Sequence, residues 1–290
     1  MIEMTWVADA LKIGNLLITL VYFGSAACLI FVALKSTKPV WVKASCVGLV
    51  VATFGYLPVS GYLESREKRI YSKAAWERFN KYCAEKAGER FYQKIENVDR
   101  LFVMRPRQNH SDSDYADQFW LGDPYGGSLS GDDELLSLLY EDRGQSATPN
   151  DRFGFRFLEV GEKAVDDKTA ILEVRLRGTK EKSVSDNLLK VLISEAKSRY
   201  GYTWDDMSTK EDRYYWIAAS SLRIVDLETN VTVAERIGYM IDPGFGSTRG
   251  GRRPWFLAIN QSCPRLEMGT HYYQTRRFLI QALRPPQVKD

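Results

Sequence analysis

The residues able to do covalent or metal chemistry are few in this chain of 290 residues. Its only histidines are His110 and His271, far apart and without the paired spacing of a zinc-binding HExxH helix. Ser220, Ser221 and Ser247 lack the Gly-x-Ser-x-Gly context of a nucleophile elbow. Cys263 with His271 has the chemistry of a thiolate–imidazole pair. Cys263 has an equally simple use, however, as the partner of Cys83 in a disulfide. Asp112, Asp114 and Asp117 could bind calcium, but lack the glycine and distal glutamate of the twelve-residue calcium loop. Gly244 to Arg253 invites an anion cradle, with glycines at 244, 246, 250 and 251 beside Arg249, Arg252 and Arg253. It lacks the GxxxxGK[ST] order of a phosphate loop. No catalytic residue, cofactor or metal is expected.

What remains are residues suited to recognition. From His110 to Asp142 there are nine acidic side chains and no lysine or arginine, Asp132, Asp133 and Glu134 among them. From Pro243 to Asp290 eight basic residues face two acidic ones. These segments are expected either to pair within one domain or to form opposite patches. The candidate partner-binding residues are Asp112, Asp114, Asp117, Asp132, Asp133, Glu134, Arg249, Arg252 and Arg253. The acidic stretch at about 110–142 is expected to be a solvated insertion, or a surface that captures a basic partner. With a net charge of only +3, the chain does not read as a nucleic-acid binder.

The element that must position everything else lies at the N-terminus. Ile13 to Leu34 is 22 residues without a charge, and Ala44 to Leu63 is a second uncharged run of 20. About 20 residues cross a hydrocarbon core when helical, and only helices satisfy their own backbone there. The expectation is a transmembrane hairpin over residues 1–63 and a soluble domain over 64–290. Small residues (Gly24, Ser25, Ala26, Ala27; Gly48, Ala52, Gly55) suggest close helix packing, and Pro58 suggests a kink or an early exit.

The spacing of apolar residues predicts an α+β domain with an antiparallel sheet and packed helices. Strands are expected near 101–104, 153–160, 170–178, 219–227 and 231–241, and helices near 66–94, 185–199 and 272–283. Cys83 and Cys263 either form a disulfide or remain two buried thiols, depending on the compartment. Lys35, Lys38 and Lys43 between the spans favour a cytoplasmic loop, whereas Arg66, Lys68, Arg69 and Lys73 pull the opposite way. The close packing of the loop charges and the cysteine pair favour an inner-membrane protein with a periplasmic domain.

The runs Lys81 to Glu89 and Gly250 to Trp255, followed by Cys263-Pro264, resemble a family of uncharacterised bacterial membrane-anchored proteins. Their layout is similar to that of some immunity proteins encoded beside type VI secretion effectors. The resemblance covers most of Glu64 to Asp290 and carries over no functional residue. It implies a periplasmic domain that binds and blocks a secreted toxic effector. The competing expectations are a non-enzymatic envelope assembly or structural subunit, and a membrane enzyme acting on lipid or cell wall.

Overall fold

A computed structural model describes residues 3–120, 122, 123, 125, 129, 131–139, 154–163, 169–177, 187–265 and 274–286. The chain divides into two units, Met1–Tyr71 and Ser72–Asp290. In the first unit, helix α1 (Glu3–Lys35) is followed by α2 (Val40–Glu85), which continues into the second unit. Both helices are long and apolar enough to cross a membrane, and almost none of either apolar stretch is buried within the protein. That exposure argues against core helices of a water-soluble fold, whose apolar side chains would be covered. Pro58 lies inside α2, which continues past it to Glu85. Close packing through glycine is not found: a Cβ added to Gly24, Gly48 or Gly55 would meet no atom within 4 Å.

The second unit is a mixed α+β domain. Its strands are β1 (Gly88–Phe91), β2 (Ile95–Glu96), β3 (Arg100–Val103), β4 (Phe157–Lys163), β5 (Thr169–Leu176), β6 (Leu188–Ile193), β7 (Tyr200–Asp206), β8 (Ile217–Asp226), β9 (Val231–Ile241), β10 (Ser262–Cys263) and β11 (Leu283–Arg284). Its further helices are α3 (Gly131–Leu139), α4 (Lys210–Tyr214), α5 (Pro254–Ala258) and α6 (Gln274–Ala282). The large sheet runs β1-β9-β8-β7-β3-β4-β5-β6, with β10 also on β9, while β11 pairs β2 separately.

The β8–β9 pair forms as its alternation predicts, antiparallel, with Asn230 at positive φ in the turn. The β4–β5 hairpin also forms. Three expectations are corrected. The sheet is mixed: β3 lies between β4 and β7 and runs parallel to both. A parallel neighbour needs a long crossover, and residues 104–156 supply it. The acidic stretch at 110–142 lies within this connection. Its helix α3 buries Leu135, Leu136, Leu138 and Leu139 in the main core.

The helix expected at 185–199 is instead β6 and the loop that leads to β7; positions 178–186 fall outside the described residues. The run Leu188 to Ile193 is apolar without a decisive period, and pairing with β5 settles it as a strand. The helix expected to reach Lys94 ends at Glu85 because Gly88 adopts φ +155°, a conformation that glycine tolerates best.

The main core gathers Leu101, Val103, Leu158, Val174, Tyr202, Leu222 and Ile224 of the sheet with α3 and with Phe278 and Leu279 of α6. On the other face, Ala75 and Phe79 of α2 cover Ile217, Ala219, Tyr239 and Ile241. Cys83, near the end of α2, is disulfide-bonded to Cys263 of β10, with Cα atoms 5.6 Å apart. Of the two readings of these cysteines, the bonded one is realised.

Candidate interaction surface

The acidic and basic segments meet on an aromatic platform. Tyr115, Tyr125, Trp216, Met240 and Trp255 form a second buried cluster, flanked by Trp120, Phe245 and Phe256. A single helical turn, Asp114–Ala116, is pinned to α5 because Trp255 Nε1 donates to the Asp117 carbonyl at 2.7 Å. Gln118 Nε2 donates to the carbonyls of Arg213 and Tyr214, both at 2.9 Å, fastening the same segment to α4. Between these anchors Phe119 stays 51% exposed, and Tyr214 stays 55% exposed. Large apolar residues held in water by a rigid base are what protein-binding patches present.

The charged candidates divide between this surface and the interior. Arg253 donates to Asp112 at 2.8 Å, and its guanidinium lies 4.4 Å from the Phe256 ring centre. Asp112 and Arg253 both keep substantial solvent exposure, so the opposite segments do pair. Asp117 is exposed and accepts from the Phe119 amide at 2.9 Å, while Asp114 accepts from the amide and hydroxyl of Ser111. These hydrogen bonds hold the Asp114 carboxyl below the usual carboxylate range. The three carboxylates turn to different partners and do not converge as calcium ligands. Arg249 and Asp133 are exposed; Asp132 accepts from Lys190 of β6 at 2.7 Å.

Glu134 is buried and Arg252 is half-buried. Glu134 is 2% exposed and belongs to a buried network. Its carboxylate is ion-paired with Arg107 and accepts from the Tyr202 hydroxyl at 3.0 Å, and Arg107 also reaches Asp123 at 2.9 Å. Burial opposes the Arg107 charge, but Glu134 and Asp123 outweigh it and hold its pKa above the ordinary value. Helix α3 carries its acids in the first turn, where the helix dipole favours them. The next residues are leucines, so Glu134 enters the core with them.

Arg252 clamps the buried carboxylate of Asp242 with both terminal nitrogens. That carboxylate also accepts from the amides of Gly244 at 3.1 Å and Gly246 at 2.7 Å. The loop's own aspartate thus engages two of its amides and Arg252. Gly246, at φ +78°, lies against the Trp216 ring, where a Cβ would collide.

Of the cysteine and histidine candidates, Cys263 and His110 are described. Cys263 has no thiol, being in the disulfide. His271 lies outside the described residues. His110 is wedged against Tyr115 and Trp120 and shares a hydrogen bond with the Tyr115 hydroxyl. Burial pushes its pKa down. Sequence reasoning missed Phe119, Tyr214, Gln118 and Asp242. The signal for Asp242 was present: an Asp-Pro-Gly turn opens the glycine-rich run. Exposed Phe119 had none, since Phe119-Trp120 reads equally as core. No protein-family model, curated protein or solved structure matches the chain.

Proposed function

We propose that this chain is a membrane-tethered protein-binding protein. In this reading α1 and the apolar part of α2 form a hairpin in a bacterial inner membrane, and the domain beyond Tyr71 lies in the periplasm. The domain captures another protein, and in the immunity form of the proposal that protein is a secreted toxic effector blocked by direct contact. The observation carrying the reading is the pair of exposed aromatics, Phe119 and Tyr214, fixed beside the exposed charges Asp112, Asp117 and Arg253. An apolar centre rimmed by charge has the anatomy of a protein interface. The Cys83–Cys263 bond supports an oxidising compartment.

A photo-cross-linker at Phe119 tests it. The expected result is one discrete adduct in living cells, absent when the cross-linker is placed at Tyr92, which is also exposed. Adducts of the same pattern from both positions would overturn the binding surface. For the immunity form, cells lacking the protein should be killed by effector-delivering siblings. Rescue is expected from the wild type and not from Phe119→Asp.

A second reading, an envelope structural subunit, is favoured by the outward, open positions of Gly48 and Ala52 on α2. Replacing both spans with an unrelated anchor separates the two: a tether tolerates the exchange and a structural subunit does not.

A further inference from the structure

We infer that Tyr22 is a latch between the two membrane spans, completing a hydrogen bond that Pro58 removes. The inference rests on the membrane reading proposed above. In an uninterrupted helix the amide of residue 58 would donate to the carbonyl of Phe54. Proline has no amide hydrogen, and its ring presses on that same carbonyl. Yet α2 runs through Pro58 without a break. The Tyr22 hydroxyl of α1 donates to the Phe54 carbonyl at 2.7 Å, with the two rings 5.0 Å apart. Bulk water is absent from hydrocarbon, and a donor from the neighbouring helix is one of the ways such a carbonyl is satisfied there.

The surrounding contacts agree with one register. The less exposed positions are Tyr22, Ala26, Ile30 and Ala33 on α1, and Val42, Lys43, Val47, Val50, Phe54, Gly55 and Ser60 on this part of α2. The α1 set, and Lys43, Val47, Val50 and Phe54 of the α2 set, step by three or four residues, as a helix seam does. Near the other end, Lys43 donates to the Leu34 carbonyl at 3.0 Å. Together the two bonds align the helices antiparallel, with Ala26 opposite Val50. Glycine packing does not compete for this role, because the glycine positions are open. The register is set by a hydroxyl whose acceptor lacks its helical donor because residue 58 is proline.

The test is a double-mutant cycle in the full chain, with Cys28 and Cys46 replaced by alanine. Oxidative cross-linking of Ala26→Cys with Val50→Cys reports the register, and Ala26→Cys with Phe54→Cys reports a slipped one. Tyr22→Phe should lower the ratio of in-register to slipped product about three- to tenfold. In a Pro58→Ala background, where the helix amide is restored, Tyr22→Phe should change the ratio little. An unchanged ratio for Tyr22→Phe alone would overturn the latch, and so would an equal drop in both backgrounds. Carbonate extraction of the unmutated chain separates the premise. If the chain stays in the membrane and the cycle fails, only the latch falls. If carbonate releases the chain, the membrane reading falls and the latch with it.

Discussion

At the residue scale, two buried carboxylates show how type and position decide between surface and core. Asp212 is the third helical residue of α4 and forms a capping box with Thr209. It also accepts from Arg78 at 2.6 Å and from Tyr82 at 3.0 Å, joining α2 to α4. Burial raises its pKa, but the bonds from Thr209, Arg78 and Tyr82 outweigh this, so the carboxyl titrates below its ordinary value. A depressed carboxyl stabilises the fold above the unfolded pKa and loses that contribution as pH falls through the folded one. Asp212→Asn should therefore lower the thermal midpoint at pH 7, and its deficit against wild type should shrink below about pH 4. Melting curves of the detergent-solubilised protein across that range provide the check; a constant deficit would mean that the charge plays no part. Glu134→Leu leaves Arg107 with one carboxylate and the Tyr202 hydroxyl without its acceptor, and should cost about 3–5 kcal/mol. The acidic run containing Glu134 was visible in the sequence, but its departure from the surface was not. That depended on the leucines after it having a sheet face to cover.

At the scale of elements, legibility followed the period. The β8–β9 hairpin was readable because alternating residues meet two different environments, α2 on one face and the main core on the other. β6 was not, because Leu188 to Ile193 are apolar at nearly every position and fit a helix equally well. The parallel placement of β3 was also hidden: four residues carry no record of their neighbours' direction, and a long acidic crossover looks like an insertion. The end of α2 was partly legible through Gly88. At φ +155° a side chain is strained, so Gly88→Ala should destabilise the domain by about 1–3 kcal/mol. A loss of only a few tenths in chemical denaturation would contradict this account of the helix end. The disulfide closes a sequence separation of 180 residues. Replacing Cys83 and Cys263 with alanine should cost about 2–5 kcal/mol and leave stability insensitive to reductant. A reductant-dependent melting point in that double variant would show that something else responds.

At the scale of the whole chain, the uncharged runs were the strongest sequence signal, because length and absence of charge suffice to mark a candidate span. The proposed latch between them could not be read in advance, since it needs the register of Tyr22 against Phe54. The proposed binding surface was legible only as two oppositely charged segments; the fold decides which charges reach solvent. Asp112, Asp117 and Arg253 do, while Glu134 and Arg252 are used internally. The account's central claim is a periplasmic binding domain held by two membrane spans. Protease added to intact spheroplasts tests that claim most directly. The account predicts digestion of the domain beyond Tyr71 without lysis of the inner membrane. A domain that survives until the membrane is broken would contradict it.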